Sequence, residues 1–234
     1  MNEIKVAYEG ENEGSFVVKE WDEEAKEMRE RCLGETFNAT IVAVTKCADQ
    51  WTKKQIVYFS NEFSDYSEAI TLVEKVVDGD DKAVSTGTWR DVRGKYPKIK
   101  VHQLVYLLIG ESVYRLKAGG ASFMPFSDFE KKVVEGGSTV QAFETVFSLK
   151  KERSGAVTYY VLQLEEGKEN DLNEMVKWSL KVQETLRTMR NDFLSRHGNV
   201  GSVNDIAGEL GGEEVPVEEE APPFEDGDVP PPTK

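Results

Sequence analysis

The order in which strand-like and helix-like segments follow one another constrains this chain more than any other feature. Thr36 to Lys46 reads Thr-Phe-Asn-Ala-Thr-Ile-Val-Ala-Val-Thr-Lys, rich in β-branched residues and poor in helix formers, which suits a pleated, half-buried strand. A second strand is expected at Gln55 to Ser60. Ile99 to Ile109 is the most hydrophobic strand, and Gly110-Glu111 turns it into a partner, Ser112 to Lys117, before Gly119-Gly120 breaks the pattern. Ser127, with Glu130 three residues on, has the capping-box spacing, which predicts a short helix from Asp128 to Glu135 stopped by Gly136-Gly137. Thr139 to Lys150 and Ala156 to Leu164 alternate as strands, and Ser154-Gly155 between them makes a hairpin.

Taking the bent 99 to 117 segment as one element, this is the β-β-β-α-β-β order of the OB barrel. That fold is a partly open Greek-key barrel whose outer face and strand 1–2 and 4–5 loops bind oligonucleotides. The expected fold class is therefore β-rich α+β: an OB-like partly open barrel with a short helix between strands 3 and 4, a long C-terminal helix and a disordered acidic tail. Residues 36–167 would form the nucleic-acid-binding domain. Residues 1–35 would be an extension with a strand at Ser15-Phe16-Val17-Val18 and then a helical, charged turn region.

Residues 168–197 form an amphipathic segment. Leu172, Met175, Val176, Val182, Leu186, Met189 and Phe193 recur at three- and four-residue spacing, the mark of one stripe along a helix of about seven turns. Such a stripe must be covered. Packing back on the domain and pairing with a second copy into a homo-oligomer both satisfy it, although Ser179 interrupts a continuous coiled-coil seam. From 198 to 234 the composition turns to Gly, Glu, Asp and Pro, which buries too little surface to offset ordering entropy, so a disordered tail is expected.

Composition excludes several functions. No run of 18 apolar residues exists and the N-terminus lacks a basic head before an apolar stretch, so neither membrane insertion nor secretion is expected, and the location reads as cytoplasmic. Cys32 and Cys47 are expected as buried free thiols. No Cys-x-x-Cys, His-x-x-x-His or His-Glu-x-x-His spacing is present, and no phosphate-loop, dinucleotide or nucleophile-elbow glycine motif. The expectation is a non-enzyme without metal or cofactor, with His102 and His197 in structural roles.

The net charge of −14 is unevenly spread: residues 1–31 hold ten acids and five bases, residues 201–234 ten acids and one base, and the middle 23 of each. Within that middle, Lys82 to Lys117 has eight bases against two acids. Charge acts where the ligand sits, so this segment can attract phosphates despite the total. Trp89, Arg90, Arg93, Lys95, Tyr96, Lys98 and Lys100 interleave aromatics with cations around Gly94 and Pro97, and Ser85 to Lys100 reads as a long loop. Single-stranded nucleic acid needs both a cationic track and stacking platforms. Lys150, Lys151 and Arg153, in the loop matching strands 4–5, add three more cations. These ten residues are the expected nucleic-acid site.

The tail segment Glu218-Glu219-Glu220-Ala-Pro-Pro-Phe224-Glu225-Asp226-Gly-Asp228-Val229-Pro230 resembles the acidic C-terminal tail of bacterial and phage single-stranded-DNA-binding proteins. That family ends in acids followed by an Ile-Pro-Phe-like tip. Asp226, Asp228, Val229 and Pro230 match, while Pro231 stands where Phe belongs and Phe224 is a displaced anchor. The resemblance, to a divergent phage-type member, implies a protein that binds single-stranded DNA. It also implies that Phe224, Glu225, Asp226, Asp228, Val229 and Pro230 recruit replication and recombination proteins. The rival expectation is a phage or plasmid structural or assembly accessory protein that oligomerises by its helix and binds no nucleic acid.

Overall fold

The computed structural model describes residues 2–22, 26–52, 55–77 and 79–198. Eleven strands and three α-helices follow in the order β1 (Asn2–Val6), β2 (Phe16–Asp22), β3 (Glu27–Gly34), β4 (Thr36–Thr52), β5 (Gln55–Ser60), β6 (Ile70–Glu74), β7 (Lys82–Gly87), α1 (Trp89–Lys95), β8 (Lys100–Ile109), β9 (Ser112–Ala118), α2 (Phe123–Glu135), β10 (Phe143–Ser154), β11 (Val157–Glu169) and α3 (Leu172–His197). The sheet runs β3-β2-β1-β9-β8-β4-β5-β6-β7, with the β10–β11 hairpin branching from β4. It is mixed, because β1 lies parallel to β9 while its other pairings are antiparallel.

The sheet does not close into a barrel, which corrects that part of the expectation. Closure would remove the edges, but β3 and β7 end the strand order and β11 pairs only with β10. The reason lies in β4, which is 17 residues long and takes three partners: β10 along Thr36–Ala39, β8 along Thr40–Asp49 and β5 along Asp49–Thr52. Its length splits the sheet into branches.

Each branch buries its own core. The largest gathers Phe16, Val18, Phe37, Ile41, Val105, Leu107, Phe126, Phe129 and Phe147 beneath α2, with Phe37 stacked on Phe147 at 5.0 Å. A second lies under α3 (Val42, Leu104, Tyr106, Met175, Val182) and a third under α1 (Ala48, Phe63, Ile70, Leu72, Val92, Ile99). A bulge separates the first two on β4: Ile41 opposes Leu107 and Ala43 opposes Tyr106, leaving Val42 between them. Ile41 accordingly joins the first core, while Val42 and Ala43 join the second.

Helix α3 packs back on the domain. Met175 and Val182 are buried, Trp178 and Leu186 pack beside them, Phe193 meets Phe59 edge-on at 5.9 Å, and Arg190 pairs with Glu68. Ser179 belongs to this face: its hydroxyl donates to the bulged Val42 carbonyl at 2.7 Å. Leu172, Val176 and Met189, expected on the buried stripe, are exposed instead, because the sheet covers only the strip centred on Met175 and Val182.

Other expectations also need correction. The Ser127–Glu130 capping box does not form. The helix begins five residues earlier than expected, at Phe123, Pro125 sits in its first turn where a missing N–H costs nothing, and the Ser127 hydroxyl accepts from Gln103 Nε2 at 2.6 Å. The region after Ser15–Val18 is not helical: residues 27–34 form β3, whose side-chain periodicity is masked by charges on both faces. Strands β1, β6 and β7 were not anticipated. Cys32 and Cys47 are free, but Cys32 is exposed rather than buried. The Cys47 thiol is pushed up to about 12 by burial, so it stays protonated. Among the described residues no helix is long and apolar enough to cross a membrane. The expected tail disorder lies outside the described residues.

Candidate nucleic-acid interface

Residues 85–100 are not a loop. Thr88 and Asp91 form the capping box that starts α1: the Thr88 N–H donates to Asp91 Oδ2 at 2.9 Å and the Asp91 N–H to Thr88 Oγ1 at 3.4 Å. The Thr88 hydroxyl, donating to Asp91 Oδ2 at 2.7 Å, and then the Thr88 N–H hold the Asp91 carboxyl below its usual range, with nearby Lys95 and Arg90 adding to the effect. Gly94, read as a breaker, sits at an open position of the helix where a side chain would meet nothing. The helix buries Val92 against Ile70, Leu72 and Ile99.

That packing decides what the aromatics do. Trp89 and Tyr96 are half-buried and lean on the third core. Tyr96 lies 5.2 Å from the Tyr58 ring and its hydroxyl donates to the Val84 carbonyl at 3.4 Å. Both anchor the helix and leave only part of each ring available for stacking. The cations do the opposite. Arg90, Arg93, Lys95, Lys98 and Lys100 are exposed, and none of Arg90, Arg93, Lys95 and Lys98 makes an ion pair with another described residue.

The hairpin cations are engaged. Lys150 pairs with Glu152 at 2.6 Å, Lys151 with Glu13 at 3.0 Å, and Arg153 Nε donates to the Gly155 carbonyl at 2.9 Å. Lys151 also lies 5.7 Å from the Tyr160 ring centroid, and its bond to Glu13 raises its pKa above the ordinary lysine value. The ten expected residues therefore fall on two branches, α1 packing on β6 and β7, the hairpin on β4 and α2. Phe224, Glu225, Asp226, Asp228, Val229 and Pro230 lie outside the described residues.

Sequence reasoning missed Trp51, which is 58% exposed near the end of β4. The signal was Trp51-Thr52-Lys53-Lys54, an aromatic beside two lysines where β4 turns into β5. It also missed a charged strip on the β4–β8–β9 face. The buried Asp49 carboxylate takes the His102 ring Nε2 at 2.9 Å and Lys117 Nζ; burial pushes its pKa up, but the bonds to His102 and Lys117 outweigh that and leave it lowered. Beside it, Glu62 accepts from the Tyr106 hydroxyl at 2.5 Å and the Thr45 hydroxyl at 2.8 Å, with Arg115 at 3.5 Å. These charges satisfy one another, so they read as architecture. Compared with known proteins, the chain matches no family model, no curated protein and no solved structure.

Proposed function

We propose that this protein binds single-stranded DNA without strong sequence preference, and that its acidic tail recruits replication and recombination proteins. One observation carries the reading. Arg90, Arg93, Lys95 and Lys98 stand exposed, with Asp91 the acid nearest them in the helix but no ion pair to another described residue, on or just after a helix pinned to a core by Trp89, Val92 and Tyr96. A polyanion gains most from cations that no carboxylate already neutralises, because each contacted phosphate releases a counterion. Trp51 supplies an exposed aromatic face for stacking. The OB-like reading rests on element order alone: β4, β5, β8–β9, α2, β10 and β11 keep the expected sequence, with β6, β7 and α1 interposed between β5 and β8. The rival reading, self-association through α3, has most of its apolar stripe turned onto the domain's own sheet.

The test is quenching of intrinsic tryptophan fluorescence by oligo-dT across a salt series. Affinity should fall steeply with salt, and R90E/R93E should weaken binding and flatten the slope by about 0.7 per lost phosphate contact. A flat salt response, or a double variant that binds as the parent does, defeats the proposal.

A further inference from the structure

Strand β3 is one end of the sheet. Its only strand partner among the described residues is β2, and residues 27–32 are all exposed. Strand β1 supports β2 only along Phe16–Val18, so Lys19–Asp22 and residues 27–30 form a two-stranded ribbon projecting past the sheet. A bare two-stranded ribbon is marginal in water. This one also carries an apolar cross-strand pair, Trp21 opposite Met28, 52% and 55% exposed. An open edge with exposed apolar side chains is a template for another strand.

The charges on β3 indicate which strand. Antiparallel self-pairing about a two-fold axis normal to the sheet must place one residue opposite its own copy, because neighbouring pairs alternate between hydrogen-bonded and non-hydrogen-bonded types. An axis at Arg29 sets two arginines together, and one at Glu30 sets two glutamates together and Arg29 against Arg31. An axis at Met28 has no such clash. Glu27 then faces Arg29 of the second copy, and the contact occurs twice by symmetry. Cross-strand partners share a face, so Trp21 and Met28 of one copy continue into Met28 and Trp21 of the other as an apolar row across four strands. Within one chain Arg29 Nε already bonds Glu27 at 3.1 Å, so both side chains lie on the face the reciprocal pair would use.

We propose that the protein self-associates as a two-fold dimer by antiparallel β3–β3 pairing centred on Met28. The interface is independent of the DNA-binding reading and differs from the helix-mediated association considered above. The experiment is sedimentation equilibrium of the full chain, with thermal melting of each variant to confirm folding. The wild type should sediment at twice the chain mass. M28R should sediment as a single chain with an intact melting transition. E27R and R29E should each weaken the dimer at least tenfold, and E27R/R29E together should restore it. In a C32S background, M28C should form an intermolecular disulfide under mild oxidation, because the axis sets the two introduced thiols opposite each other. A wild type that is monomeric at all concentrations overturns the proposal. So does a dimer that survives M28R, or one lost on L180R at the exposed face of α3 while M28C fails to cross-link.

Discussion

Ser179 shows how one hydroxyl can couple two elements. A β-bulge takes Val42 out of the ladder, and its carbonyl, beneath α3, is satisfied by a donor from that helix. Ser179→Ala should therefore cost about 1–3 kcal/mol, the penalty for stranding a buried acceptor, in urea denaturation. Ser179→Thr, which keeps the hydroxyl, should cost less. Glu20 is a second such residue. It accepts from Arg31 at 2.8 and 3.0 Å and from the Tyr114 hydroxyl at 2.6 Å, and those bonds, Arg31 first, lower its pKa from 4.5 to about 2. A carboxyl whose folded pKa is depressed binds fewer protons in the native state than in the unfolded one. Its stabilisation is complete above about pH 4.5 and drains away as pH falls toward about 2. Melting temperature should fall across that window less steeply in E20Q than in the parent. Equal slopes would show that the Arg31–Glu20–Tyr114 group is not coupled to folding.

At the scale of elements, α1 is the part where stability and the proposed function meet. It is 7 residues long, too short to persist without its capping box and its anchors. Thr88→Ala should cost about 1 kcal/mol through loss of the cap. Because the cations ride on the helix, oligo-dT affinity should fall with it although Thr88 is not one of the proposed contacts. Trp89→Ala should lower stability by about 2 kcal/mol, less than a fully buried Trp would, because the ring is half-buried. Trp51→Ala should instead leave the melting transition unchanged and weaken DNA binding by roughly 1–3 kcal/mol, the value of one stacked base. Loss of stability without loss of affinity at Trp51 would make it a structural residue.

At the scale of the whole molecule, charge is segregated. The C-terminal 34 residues carry ten acids and one base, while α1 and its flank hold exposed cations. A tethered polyanion competes with DNA for those cations at low salt and loses its reach as the Debye length shrinks. Deleting residues 201–234 should raise oligo-dT affinity at low salt, leave it unchanged near 1 M salt and abolish partner recruitment. Affinity that drops at every salt concentration would mean the tail holds DNA itself.

How much of this was legible in the chain follows from which forces are local. Strands β4, β5, β8, β9, β10 and β11 and helix α3 were readable because β-branched runs, alternation and a 3.6-residue stripe are properties of the segment alone. The cationic cluster of residues 90–98 was readable for the same reason, as a count of charges. The Thr88–Asp91 capping box is a local signal, obscured by Gly94 and Pro97, which suggested a loop. That β3 would pair as a strand with charges on both faces was not legible, because pairing depends on a neighbouring strand. Trp89 and Tyr96 became anchors because β6 and Ile99 offer them a core, and the sheet stayed open because β4 is long enough to take three partners. Composition and periodicity determined which segments become strands and helices; tertiary packing decided which aromatics are buried, which cations remain unpaired and which edge is open, because burial and pairing are properties of two surfaces meeting.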